Sequence, residues 1–236
     1  MMCAPRVVNV VIFNETVAYE AEMIHELRRL NAVRGVRQLF VVLDPAADAI
    51  RLEGDMLRVP GVETYAPGIL HKTIEAMRYV LRETEFDFLV RSNISTVVDF
   101  AALAPVLAEL DAGQPVYAST RWFHFIEGVY HRDGIPADGV REKNTFAAGT
   151  NIMLSRPAVE HLVSHADGLE MHLPDDVAIG NAMLRVCEPR QLTPEEQYCN
   201  DAPGATVYRN RTDFSDWVRT VDVLRMRKIV DRLVAA

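Results

Sequence analysis

EFDFLVRSNISTVVDF (Glu85–Phe100) carries an apolar run, Phe86, Phe88, Leu89 and Val90, straight into the polar residues Ser92-Asn93-Ile94-Ser95-Thr96. A short aromatic and β-branched run of this kind predicts a strand buried on both faces. The polar residues then form a turn at the strand's carboxyl end. Asp99 stands just before FAALAPVLAEL, which has helical spacing, so it is expected to cap that helix.

Upstream, RVVNVVIF (Arg6–Phe13) and VRQLFVVLD (Val36–Asp44) read as further buried strands. Between them Ala18, Ala21, Met23, Ile24, Leu27 and Leu30 recur at helical spacing, with Asn14 or Thr16 as the cap. Residues 45–67 are broken by Pro and Gly, with strand-like pieces MLRVP and VETYA. Pro67–Thr84 predicts a helix burying Leu70, Ile74, Met77 and Leu81, and QPVYAST a strand after the third helix. Strand and helix thus alternate to about residue 120. That pattern predicts an α/β domain with a mostly parallel sheet and helices on both faces. In such sheets ligands sit beyond the carboxyl ends of the strands, so the turn after Arg91 is expected to border a site.

The second half is less regular. Trp122–Asn144 begins aromatic and becomes a polar loop of the kind that often carries function. GTNIMLS reads as a strand, RPAVEHLVSHA and LPDDVAIGNAMLRV as helices, ATVYRN as a strand and FSDWVRTVDVLRMRKIVDRL as a closing helix. No linker or repeat divides the 236 residues, which are read as one domain.

The net charge of −8 argues against nucleic acid as a partner, since phosphates need a basic face. The basic residues gather at the end: from Arg209 onward seven stand against four Asp. That tail fits either a solvated amphipathic helix or the neighbourhood of a small anion. Cys3, Cys187 and Cys199 form no CxxC, and no run is apolar enough to span a membrane. A reduced, cytoplasmic setting is the expectation.

Elbow, dinucleotide and P-loop motifs are absent. The acidic pair Asp175-Asp176 suits a helix start, and equally a general base in partly apolar surroundings. His161 and His165 lie at i, i+4 on a helix, a spacing that can bind zinc, with His172 and Asp167 nearby. The zincin Glu is missing, because Leu162 takes its place. Lys72, Arg91, Arg209, Arg211 and Arg219 are candidate partners for an anion. Trp122 and Phe123 suit either the apolar face of a sugar or the core.

Four blocks in order resemble the β-1,3-galactosyltransferase and Fringe family: LHKTIEAMRYV, FDFLVRSNISTVV, FAAGTNIMLSRPAVE and PDDVAIG. The resemblance implies a single GT-A-like domain, with residues 1–120 the nucleotide-sugar half and 121–236 the acceptor half and closing helix. It implies inverting transfer of a sugar from a nucleotide donor, by family habit a UDP-sugar, to a hydroxyl of a glycan or other acceptor. Asp176 then takes the place of the catalytic base, with Asp175 its helper or cap. Gly149 and Thr150, with Trp122, fall to the acceptor. Asn14, Lys72, Arg91, Asn93, Ser95 and Arg209 fall to the nucleotide sugar.

The family's Asp-x-Asp is replaced here by Asn93-Ile94-Ser95. Neutral oxygens are poorer ligands for Mn²⁺ or Mg²⁺ than carboxylates. Asn93 and Ser95 are either weak metal ligands or direct partners of ribose or phosphate, with basic side chains offsetting the diphosphate. Two rival readings stand beside this one. The first is a non-catalytic nucleotide-sugar or glycan binder on the same fold. The second is a metal-dependent hydrolase using His161 and His165.

Overall fold

A computed structural model describes residues 4–15, 19–126, 129–131, 145–212 and 216–236. The first half runs β1 (Val7–Ile12), α1 (Tyr19–Arg34), β2 (Arg37–Asp44), β3 (Arg51–Glu53), β4 (Met56–Pro60), α2 (Gly68–Glu83), β5 (Phe88–Asn93), β6 (Thr96–Val98), α3 (Phe100–Ala108) and β7 (Tyr117–Ser119). The second half runs β8 (Trp122–Ile126), β9 (Val129–His131), β10 (Thr145–Ala147), β11 (Asn151–Ser155), α4 (Arg156–Ser164), α5 (Asp175–Met183), β12 (Pro189–Gln191), β13 (Gln197–Tyr198), β14 (Val207–Arg209) and α6 (Asp216–Ala235).

Eight strands form the central sheet in the order β12-β7-β11-β5-β1-β2-β4-β3. The pairings among β5, β1, β2 and β4 are parallel, as is that of β12 with β7. The antiparallel exceptions are β11, against both its neighbours, and the edge hairpin of β3 with β4. From β1 the chain moves outward through α1 to β2, and the other neighbour of β1 is β5. The strand order therefore reverses between β1 and β5, which is where an open sheet of this kind leaves a crevice.

The strands sort their side chains by parity, because successive residues point to opposite faces. Val8, Val10 and Ile12, with Leu39, Val41 and Leu43, pack with Leu70, Ile74 and Met77 of α2 on one face. Val11, Phe13, Phe40 and Val42 pack on the other with Met23, Leu27 and Leu30 of α1 and Met226, Ile229 and Val230 of α6. Phe88, Val90 and Met153 meet Leu103 and Leu107 of α3. Continuous apolar runs are needed because both faces are covered, as the sequence implied. Asn9, buried inside β1, is tied on both sides: it donates to Gln38 Oε1 at 3.1 Å and accepts from Ser92 Oγ at 2.9 Å.

Some expectations are revised. VETYA is not a strand; the segment is irregular, and its Glu63 carboxylate accepts the peptide N–H of Leu43 at 2.8 Å. Ala21 faces solvent, while Thr16 and Ala18 lie outside the described residues. Leu81 is only partly buried against the core. The aromatic start of Trp122–Asn144 is strand, since β8 pairs with both β9 and β10. Residues 132–144 lie outside the described residues. Asp99 caps α3 as expected, accepting from the amides of Ala101 and Ala102 at 3.1 and 3.3 Å.

The small sheet β13-β14-β6 lies beyond the end of β5. β5 continues through Ser92 to Asn93, so the polar turn shrinks to Ile94-Ser95 before β6. β14 pairs antiparallel with β6, which sets Arg209 opposite Thr96. The turn is thereby enclosed by the carboxyl-terminal part of the chain.

Candidate functional site

A cleft of about 490 Å³ opens at the carboxyl ends of β1 and β5. Eleven of the residues singled out from sequence line it: Asn14, Lys72, Arg91, Asn93, Ser95, Gly149, Asp175, Asp176, Arg209, Arg211 and Arg219. Trp122 and Thr150 do not. The cleft draws on both halves of the chain, with Gly149 and Asp176 coming from the loop before β11 and the start of α5.

Asn93 and Ser95 each face an arginine. Asn93 Oδ1 accepts from Arg91 Nη1 at 2.7 Å, and Ser95 Oγ accepts from Arg209 Nη1 at 2.7 Å. Two oxygens already holding guanidinium groups are a poor donor set for Mn²⁺ or Mg²⁺, which require anionic or unshared oxygens and would meet like charge here. Residues Asn93 and Ser95 do not fit the group that the family resemblance implies for this position.

The acidic pair divides its work. Asp175 is buried and forms an ion pair with Arg91 at 2.7 Å; its Oδ2 also accepts from Thr73 Oγ1 at 3.1 Å. Its side chain makes no capping bond at the start of α5, so the reading of Asp175 as a cap is corrected. Those bonds occupy Asp175 in anchoring Arg91. Asp176 Oδ2 accepts the Gly149 N–H at 3.2 Å and Oδ1 its neighbour's N–H, from Val177, at 3.0 Å. Burial, and then the adjacent Asp175 charge, push the Asp176 carboxyl up to about 6; Arg91 opposes them. That is the tuning a carboxylate base needs near neutral pH.

Gly149 sits where a side chain has little room. A Cβ there would lie 3.1 Å from both Arg91 Nη1 and Asp176 Oδ2. Its carbonyl also accepts from Arg91. Arg91 thus ties Gly149, Asn93 and Asp175 together on one guanidinium.

The other cations differ in how far they are neutralised. Lys72 is 1% exposed, bonds the carbonyl of Phe13, and pairs with Glu63 at 2.7 Å. Burial lowers its pKa although Glu63 opposes the shift. Arg219 pairs with Asp222 at 2.6 Å. Arg209 is 5% exposed and makes no ion pair with any described carboxylate. Burial brings its pKa down to about 10, with the Glu196 carboxylate opposing the shift without forming an ion pair. A buried guanidinium without a contacting counter-ion is costly, and an anionic ligand would relieve that cost.

Trp122 packs into the core: it is 1% exposed, lies edge-on to Tyr117 at 4.9 Å, and donates from Nε1 to the Ser119 carbonyl. It lines a second cavity and not the cleft. The Thr150 hydroxyl donates to Glu196, which also accepts from Asn151 Nδ2 and Arg121. Glu196 and Arg121 border that second cavity, of about 260 Å³, with Tyr198.

The histidines lie elsewhere. His161 of α4 and His165, the residue just past its end, stack at 4.3 Å, and neither lines the cleft. Burial, then the neighbouring His165, lower the His161 pKa. Among the described residues no group of three or more His, Cys, Asp or Glu could hold a metal ion. The metal-hydrolase reading therefore finds no centre in these histidines.

Sequence reasoning missed Glu20, Glu63 and Tyr65, and placed Arg211 and Arg219 only as general anion partners. All five line the cleft. Glu20 read as an ordinary first-turn acid of α1, and Glu63 and Tyr65 lay in a segment read as strand. Only their three-dimensional placement marks them.

No protein-family model matches the sequence, and no curated protein is significantly similar to it. Solved structures do share its fold. A glycosyltransferase involved in the glycosylation of the major capsid of PBCV-1 is similar over 94% of this chain and 98% of its own, with a TM-score of 0.54 at 10% identity. The apo-form glycosyltransferase GlyE of Streptococcus pneumoniae TIGR4 is similar over 99% of this chain, which spans 63% of that protein; the TM-score is 0.52 at 11% identity. The likeness defines the architecture: a single α/β domain with a GT-A-like fold. Among the described residues no helix is long and apolar enough to cross a membrane.

Proposed function

We propose that this chain is a glycosyltransferase that moves a sugar from a nucleoside diphosphate donor, by its motif resemblance a UDP-sugar, to a hydroxyl of a glycan or similar acceptor. The observation that carries the reading is the pairing, in one cleft, of a carboxyl raised to about 6 at Asp176 with a buried guanidinium at Arg209 that makes no ion pair with any described carboxylate. Acceptor activation needs the first and departure of the diphosphate needs the second.

In the proposed inverting step the acceptor oxygen forms a bond to the anomeric carbon as its proton passes to Asp176. The bond from that carbon to the diphosphate oxygen breaks, and its electron pair leaves with the diphosphate. Arg209 stabilises that charge, while Arg91 holds Gly149 and Asn93 in place. Lys72 is already matched by Glu63 and contributes mainly by fixing β1 to the cleft wall. Because Asn93 and Ser95 hold arginines, transfer is proposed to proceed without Mn²⁺ or Mg²⁺. This extends the resemblance to β-1,3-galactosyltransferases and Fringe while departing from it at the Asp-x-Asp position. A cytoplasmic setting belongs to the same proposal.

The test is release of UDP from a panel of UDP-sugars by protein treated with EDTA, with and without restored Mn²⁺. Turnover in EDTA that Asp176→Asn abolishes supports the reading. Turnover strictly dependent on Mn²⁺ removes the arginine-for-metal component. Tight UDP binding with no transfer to any acceptor, in wild type and variant alike, favours the non-catalytic binder.

A further inference from the structure

Glu20 is a buried carboxylate in the cleft with an unanswered oxygen. It is 8% exposed, and Oε2 is buried with no hydrogen-bond partner. The cations that most influence it, Lys72 and Arg219, already own carboxylates: Glu63 at 2.7 Å and Asp222 at 2.6 Å. Glu20 is therefore not needed to neutralise the fold. A buried acceptor left unsatisfied costs stability unless something donates to it. Burial has pushed this carboxyl up to about 7, against the pull of both cations.

Among the described residues Arg209 makes no ion pair with a carboxylate and Glu20 Oε2 accepts no hydrogen bond, and both side chains line the cleft. A phosphate would be repelled at Glu20 and attracted at Arg209. What suits Glu20 is a neutral part of the ligand that carries hydroxyl donors. A nucleoside diphosphate has both ends: an anionic diphosphate and a ribose whose adjacent hydroxyls can both donate to one carboxylate.

We infer that Glu20 accepts hydrogen bonds from the ribose hydroxyls of the donor nucleotide and sets a preference for ribo- over 2′-deoxyribonucleotides. The inference rests on the proposal that the cleft takes a nucleoside diphosphate. Glu20 binds and selects; it has no part in the bond-breaking step.

The experiment is calorimetric titration of UDP and 2′-deoxy-UDP into wild type, Glu20→Gln and Glu20→Ala, with melting temperature as the folding control. A hydrogen bond to a charged group predicts that wild type prefers UDP by about 10- to 100-fold. Glu20→Ala should bring the two ligands level, chiefly by weakening UDP, and Glu20→Gln should fall between. Both variants should melt no lower than wild type, because Oε2 makes no hydrogen bond in the free protein for them to break. Equal binding of the two ligands by wild type, or an undiminished preference in Glu20→Ala, overturns the inference and leaves the nucleotide cleft standing. Failure of UDP, GDP, ADP and CDP all to bind wild type removes the nucleotide proposal and this one together.

Discussion

The Gly149 N–H points to Asp176 Oδ2 at 3.2 Å, while the carbonyl of the same residue accepts from Arg91. One peptide unit thus spaces the acidic and basic walls of the cleft. An added Cβ would lie 3.1 Å from each, so Gly149→Ala must push one of them by a few tenths of an ångström. A misplacement of about 1 Å can cost about 100-fold, so a shift of a few tenths of an ångström lowers turnover by roughly threefold to tenfold. The expected outcome is a kcat loss of that size with UDP affinity changed less than threefold, measured by steady-state kinetics and calorimetry. An unaltered kcat would show that the spacing is not critical.

Asp176 predicts opposite effects on activity and stability. As a base it must be ionised, so kcat should fall on the acid side with an apparent pKa near 6. The folded carboxyl lies above its ordinary value, so the folded state holds the proton more tightly than the unfolded chain. Its contribution is therefore fully present below about pH 4 and lost as pH rises through about 6. Asp176→Asn removes that loss. At pH 7.5 the variant should melt a few degrees higher, a gain of roughly 1 kcal/mol, while turnover drops by at least about 100-fold. A variant that melts lower and stays active would contradict both halves.

Much of this arrangement was legible in the sequence because it is local. The strand read over Phe86–Arg91, its polar end, the cap at Asp99 and the helix start at Asp175-Asp176 all follow from neighbouring residues, although the strand runs on to Asn93. The site's electrostatics were not. Ser95 meets Arg209 through the pairing of three-residue strands 114 positions apart, and such strands carry no periodicity of their own. Trp122 illustrates the other limit: the same aromatic residue suits a sugar face or the core, and only its contact with Tyr117 decides. Glu20 looks like any first-turn carboxylate until its missing partner is seen.

Lys72 and Glu63 test structural coupling apart from binding. The buried Nζ bonds both oxygens of the half-buried Glu63, at 2.7 and 2.8 Å. Removing one partner of such a pair costs about 3–5 kcal/mol, because the other is left charged in an apolar setting. Glu63→Gln should therefore lower stability by an amount of that order in urea titrations. The double variant Lys72→Met/Glu63→Gln should recover part of it. Additive losses would show that the two side chains are not coupled.

Arg209 separates stability from ligand binding most cleanly. Its guanidinium is buried on β14, held by the Ser95 hydroxyl, and unpaired with any described carboxylate. Arg209→Met keeps much of the volume and removes a buried charge that no described carboxylate contacts, so the ligand-free protein should be as stable as wild type or more so. In the proposed enzyme the same change removes the group that meets the diphosphate. UDP affinity should fall by at least about tenfold, the scale of one charge-assisted hydrogen bond, and kcat should fall further because leaving-group charge grows in the transition state. Uridine carries no phosphate, so its weaker binding should be nearly unchanged. Calorimetry with UDP and uridine, beside thermal melts of the free protein, reads all three quantities. Equal losses for UDP and uridine would mean that Arg209 shapes the cleft rather than meeting the diphosphate.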